Sequence, residues 1–190
     1  MRIDIREMAE ADADSVASLR VLGWRHAYRG LMPGDFLESM RPERAAERLR
    51  AEAGAGPGGL VHLVADAGEA GVVGWANVGP YRPVEGVDGP PPALPASDAP
   101  PGGSPAPDWG ELHALYLHPE FIGRGLGREL LRASLGVLGE QGRHRVRLWV
   151  LQGNAHARRF YERAGFAADG AEQTLRISGT LLTDLRYSRA

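Results

Sequence analysis

The chain contains no cysteine among its 190 residues. Disulfide frameworks, thiolate zinc sites, iron–sulfur clusters and cysteine nucleophiles are therefore excluded. It contains no lysine either: all 22 basic residues are arginine. That removes a Schiff-base lysine and the lysine of a Walker-type phosphate loop. No apolar run approaches the about 20 residues needed to span a bilayer. The start, Met1-Arg2-Ile3-Asp4-Ile5-Arg6-Glu7, lacks the apolar stretch of a secretion signal. The expectation is a soluble, cytoplasmic protein. A large charge excess is also missing. The formal net charge is −2, so no overall positive field draws the chain to nucleic acid. The histidines show no metal-ligand spacing, and no metal is expected.

What is present suits one soluble domain. Hydrophobic residues make up 43% and charged residues 24%, and the chain is long enough to bury a core without cross-links. Residues 2–6 alternate apolar and charged, as in a half-buried strand. A helix is expected from Asp12, its N-cap, to Arg29, with Val16, Leu19, Gly23 and Ala27 on one stripe. A second helix follows Pro42 and ends in the glycine-rich run 54–59. Leu60–Asp66 and Val72–Val78 read as strands joined by a hairpin turn. From Pro80 to Pro107, 14 of 28 residues are proline or glycine. That composition predicts a flexible insertion, either a surface excursion or a lid over a site. Glu111–Leu117 is a strand, followed by a glycine-rich turn at 123–127 and a leucine-striped helix. Val146–Leu151 is another strand, Asn154 caps a helix that Gly165 ends, and two short strands finish the chain. This order predicts a mixed α/β sheet with a parallel pair in its second half.

A strand that runs through a glycine-rich turn into a helix is a ready anion site. Its backbone N–H groups converge, and the helix N-terminus adds partial positive charge. Gly123, Gly125 and Gly127 allow close approach, and Arg124 adds a full charge. Tight packing alone also explains such a turn. A dinucleotide-binding turn fits poorly, because the spacing is G-x-G-x-G and the acid expected about 20 residues on is missing.

The stretch Leu117-His118-Pro119-Glu120-Phe121-Ile122-Gly123-Arg124-Gly125-Leu126-Gly127-Arg128-Glu129-Leu130-Leu131 resembles the acyl-CoA-binding motif Q/R-x-x-G-x-G/A of the GNAT superfamily of N-acetyltransferases. Asn154-Ala155-His156-Ala157-Arg158-Arg159-Phe160-Tyr161-Glu162-Arg163-Ala164-Gly165-Phe166 resembles the family's N…A…F-Y-E…G-F segment. Trp24, the run Tyr28-Arg29-Gly30-Leu31-Met32-Pro33 and the closing Leu185-Arg186-Tyr187 are similar to a bacterial branch that acts on ribosomal proteins and small amines. The likeness spans nearly the whole chain except Pro80–Pro107. One departure is Ile122, where the family usually has glutamine or arginine.

The resemblance implies a GNAT-like α/β fold. Its central sheet would be mixed and mostly antiparallel, of about six to seven strands, flanked by about four helices, with a splayed parallel pair in the second half. It implies a single domain, 1–190, carrying the 80–107 insertion. It also implies transfer of an acetyl group from acetyl-CoA to a primary amine, by direct attack in a ternary complex. The acceptor would be a small amine or a peptide or protein N-terminus, and dimers are frequent in the family. Ile122, Gly123, Arg124, Gly125, Leu126 and Gly127 would cradle the pyrophosphate. Leu115, Tyr116 and Leu117 would hold the pantetheine arm, with the N–H near Leu115 polarising the thioester carbonyl. Tyr161 corresponds to the family's acid for the departing thiolate; a phenol is neutral at pH 7 and donates a strong hydrogen bond.

A base is also needed, because an ammonium with a pKa of about 10.4 does not attack. Glu111 lies 11 residues before Ile122, the spacing at which some family members carry a catalytic glutamate. His113 falls on the same strand face, and either residue or water could take the proton. Asn154 reads equally as a helix cap or as a ligand of the cofactor arm. Trp24 and Tyr28, spaced i,i+4, pack together or border the acceptor pocket. The rival from another class is a non-catalytic acyl-CoA-binding module, which would keep the 123–127 turn without needing Tyr161 or Glu111.

Overall fold

Runs of small and branched apolar residues form the strands, and helices with a single apolar stripe cover them. The computed structural model describes residues 2–53, 59–84, 87 and 109–190. In chain order the elements are β1 (Asp4–Glu7), α1 (Ala13–Ala27), α2 (Gly34–Ser39), α3 (Glu43–Ala53), β2 (Val61–Asp66) and β3 (Val72–Pro80). They continue with β4 (Trp109–Leu117), α4 (Leu126–Glu140), β5 (Arg145–Leu151), α5 (Ala155–Arg163), β6 (Ala167–Ile177) and β7 (Thr180–Arg189). The seven strands form one sheet in the order β1-β2-β3-β4-β5-β7-β6. Only β4 and β5 run parallel; every other neighbouring pair is antiparallel. This is the mixed, mostly antiparallel sheet with one parallel pair that the sequence predicts.

Each face has its own core. On one, Leu130, Leu131 and Leu138 of α4 pack on Leu63, Ala76, Val78, Leu112 and Leu148. On the other, Val16, Ala17 and Leu19 of α1 and Ala46 and Leu49 of α3 pack on Val64 and Trp75. Gly23 lets α1 approach β4 closely, for a Cβ there would lie 2.9 Å from the Tyr116 ring.

A bulge in β4 determines what faces where. Asn77 pairs with Ala114 but Val78 pairs with Leu112, so His113 is the extra residue. An extra residue shifts the alternation of side chains by one. Leu112, Leu115 and Leu117 consequently meet the α4 core, whereas Ala114 and Tyr116 meet the α1–α3 core.

Three local expectations change. Asp12 precedes α1 but does not cap it with its side chain. Its carboxylate is held by Arg6 at 2.6 and 3.0 Å and accepts the Ala9 N–H at 2.8 Å. The short helix α2 follows Pro33, where no helix is expected. The two terminal strands are long, of 11 and 10 residues, joined at Ser178 and Gly179 with φ of 46° and 83°. Two successive positive φ values suit the right-handed twist of a tight hairpin. Their polar composition hides their length, because β6 is an edge strand with an exposed face. The insertion expected at 80–107 lies outside the described residues apart from 80–84 and 87.

Candidate active site

The parallel pair stays together for only three residues. Trp109, Gly110 and Glu111 pair with Arg145, Val146 and Arg147, and beyond Glu111 the two strands part. A cleft of about 1060 Å³ opens there. The β3 side of β4 fixes the direction of its backbone groups. His118 N–H donates to the Val73 carbonyl at 2.8 Å, in register with Trp75–Tyr116 and Asn77–Ala114. By the alternation of an antiparallel ladder, the N–H groups of Leu115 and Leu117 face the other way, into the gap.

At one end the cleft meets the N-terminus of α4. Gly123 and Gly125 have φ of 80° and 89°, and a Cβ at either would meet nothing within 4 Å. The backbone is thus bent toward open space as only glycine readily allows. The first helical bond closes from Arg128 N–H to the Gly125 carbonyl at 3.0 Å, so the preceding N–H groups have no helical acceptor. Ile122, Gly123, Gly125, Gly127 and Arg128 line this end. Two expected members differ. The Arg124 guanidinium lies over the Phe121 ring at 5.6 Å instead. The Leu126 side chain is buried against Ala65, Val73 and Phe121, which leaves only its backbone for a ligand. Missed by sequence reasoning are Arg128 and, from α5, His156, Arg159 and Arg163, all on the cleft wall. Their signal was arginine recurring beside two recognised motifs.

Tyr161 lines the cleft from α5, edge-on to Phe160 at 5.1 Å and Phe166 at 6.0 Å. Burial, and then the nearby Tyr28, raise its pKa, so the phenol keeps its proton. Tyr28 and Tyr116 sit hydroxyl to hydroxyl close by. Trp24 and Tyr28 pack edge-to-face at 5.0 Å and also line the cleft. The Asn154 side chain accepts the Ala157 N–H at 3.1 Å, an N-cap, while the residue also borders the cleft.

Glu111 and His113 are both buried on the cleft wall. Arg82 grips the Glu111 carboxylate three times, through its N–H at 2.9 Å, Nε at 3.4 Å and a terminal nitrogen at 2.9 Å. Burial alone would raise the pKa of Glu111, but the close approach of His113 and the hydrogen bonds from Arg82 outweigh it and hold the group down at about 2. His113 Nδ1 lies 3.0 Å from Glu111 Oε1, yet the ring is not aligned for a hydrogen bond there. Its Nε2 is buried with no hydrogen-bond partner among the described residues. The contact is one of proximity to a fixed negative charge. Arg82 is absent from the sequence-based site because it opens the proline-rich stretch, 29 residues before its partner.

The far end of the cleft is built by the β6–β7 hairpin and the α1–α2 region. Met32, Leu37 and Leu151 form a small core there with Leu31, Ile177 and Leu182 packed against it. Gln173, Leu175, Ile177 and Asp184 face the cleft. None of these four was singled out from sequence; the only signal was one acid within the apolar run Leu181–Leu185. Arg145 and Arg147 stack on the Trp109 ring, each at 4.1 Å.

Residues 21–166 match the acetyltransferase (GNAT) family. The chain belongs to that family and is an acetyl-CoA-dependent acyltransferase. The uncharacterized N-acetyltransferase YuaI of Bacillus subtilis is 26% identical over 184 residues, 96% of this chain and 90% of that protein. The PaiA N-acetyltransferase of Thermoplasma acidophilum, solved in complex with coenzyme A, superposes with a TM-score of 0.72 at 20% identity, covering 100% of this chain and 99% of that one. The ribosomal-protein-alanine N-acetyltransferase of Brucella melitensis gives 0.68 at 24% identity, with 98% of both chains covered. Other relatives are longer. The mycothiol acetyltransferase of Rhodococcus opacus is 33% identical over 150 residues, 78% of this chain but only 38% of that protein. Among the described residues no helix is long and apolar enough to cross a membrane, and no group of three acidic or histidine side chains could hold a metal ion.

Proposed function

We propose that residues 1–190 act as one domain that moves an acetyl group from acetyl-CoA to a primary amine, by direct attack within a ternary complex. The acceptor is a small amine or a peptide N-terminus. The observation that carries this reading is the parting of β4 from β5 beside the N-terminus of α4. A single open channel thereby joins an anion-binding turn, two inward N–H groups and a neutral phenol.

In this reading the N–H groups of residues 123–127 hold the pyrophosphate, and Arg128, on the cleft wall, supplies the positive charge that Arg124 does not. The pantetheine arm is held by Leu115 and Leu117 through their inward N–H groups and by Tyr116, which packs toward α1 and also lines the cleft. The Leu115 N–H donates to the thioester oxygen, whose charge grows as the carbonyl is attacked. The amine nitrogen bonds to the carbonyl carbon and the carbon–sulfur bond breaks. Tyr161 gives its proton to the departing thiolate. Glu111, held at about 2 by its partners, is too weak a base to take a proton from an amine. In this reading His113, beside Glu111 on the cleft wall, takes it directly or through water.

Tyr161→Phe tests the scheme. Removing a general acid lowers kcat by about 100-fold, while acetyl-CoA still raises the melting temperature of the variant. Equal turnover of the variant and the parent across acceptors would remove Tyr161 from the mechanism.

A further inference from the structure

Most buried or half-buried carboxylates in this protein have a cation beside them. Asp12 and Asp66 share Arg6, Glu111 has Arg82, and Asp169 has Arg186. Asp184 does not. It lies in β7, opposite Leu151 of β5 on one side and Gln173 of β6 on the other. Its side chain lines the far end of the cleft, where Gln173 hydrogen-bonds it. Among the described residues no arginine or histidine forms an ion pair with it. A carboxylate withdrawn from water and left without a counterion is costly to keep. Burial accordingly raises its pKa.

The surroundings say what would balance it. Trp24, Tyr28, Met32, Leu175 and Ile177 line the same end. Such walls suit a methylene chain. Tyr28 is near both groups: it feels the charge of Asp184 and is itself felt by Tyr161, whereas Asp184 is not among the groups acting on Tyr161. An acceptor whose amine sits near Tyr161 would therefore run past Tyr28 toward Asp184. A carboxylate at the reacting nitrogen itself would hold that nitrogen protonated, so the charge is better spent on a second group further along.

We propose that Asp184 selects the acceptor, its carboxylate receiving a second cationic group so that diamines are acetylated in preference to monoamines of the same length. This rests on the N-acetyl transfer proposed above.

Putrescine and butylamine are the matched probes, used with the full chain, Asp184→Asn and the conservative Asp184→Glu. The parent is expected to favour putrescine in kcat/KM by about tenfold or more, since losing one partner of a buried charge pair is worth at least that. In Asp184→Asn the preference collapses, chiefly through the KM for putrescine, and Asp184→Glu restores part of it. A melting-temperature rise with acetyl-CoA in each variant shows that the fold and the cofactor end are intact. A second readout does not need turnover: in the presence of CoA, putrescine raises the melting temperature of the parent and not of Asp184→Asn. If that rise occurs but no amine is acetylated, the anchor stands and the proposed reaction falls. Equal use of both amines by the parent, or a preference that survives in Asp184→Asn, overturns the proposal.

Discussion

A carboxylate that is to take a proton from an amine has to be poorly stabilised as an anion. Glu111 is the opposite, with Arg82 wrapped around it and His113 alongside. Its folded pKa, about 2, lies below its ordinary 4.5. The stability it contributes is thus fully present above about pH 4.5 and is lost as pH falls toward 2. The shift corresponds to at most about 3 kcal/mol, less the share that solvent screens at the exposed Arg82. Glu111→Gln should therefore melt lower than the parent at pH 7, and the gap should close as pH falls through that window. Thermal melts of both proteins across that range check this. A gap that does not change with pH would mean that the ion pair contributes nothing.

At the scale of elements, the site is made by where regular structure stops. β4 leaves β5 after Glu111, the bulge at His113 turns Leu115 and Leu117 toward the α4 side, and α4 begins at a left-handed Gly125. Gly125→Ala puts a Cβ on a backbone with φ of 89°, a conformation that costs an L-residue about 1–2 kcal/mol. It also places a methyl group in the space proposed for a phosphate. The expected outcome is a melting temperature lowered by a few degrees and a larger loss in the response to acetyl-CoA, read by titrating the ligand against the melt. An unchanged response would remove the turn from the cofactor site.

For the whole molecule, ligand binding and folding are one equilibrium. A ligand specific for the folded state adds about 2.7 kcal/mol at 100 times its dissociation constant, which for a chain of this size is a rise of roughly 5–11 °C. Acetyl-CoA and CoA should give such a rise and NAD none. A rise with NAD alone would turn the 123–127 cradle back into a dinucleotide site. A rise with acetyl-CoA without turnover on any amine would favour the non-catalytic binding module.

The local chemistry was legible in the sequence because it depends on neighbours along the chain. Glycines at 123 and 125 permit the bent backbone, Asn154 caps the helix that begins next to it, and Tyr161 is carried within a recognisable segment. Hydrophobic alternation and helical stripes likewise mark most elements. Where a side chain meets its electrostatic partner is a different matter. Arg82 reaches Glu111 across 29 residues, Arg124 turns to Phe121 while Arg128 lines the cleft, and Asp184 comes near Tyr28 from the other end of the chain. Charge interactions depend on distance and burial, and neither is set by the spacing of residues along the chain. The sequence by itself determined the family, the sheet and the bent glycine turn before α4. Only the tertiary structure decided that Arg82 holds Glu111 and that Asp184 reaches the cleft with Gln173 as its partner, because desolvation and pairing exist only once the strands have come together.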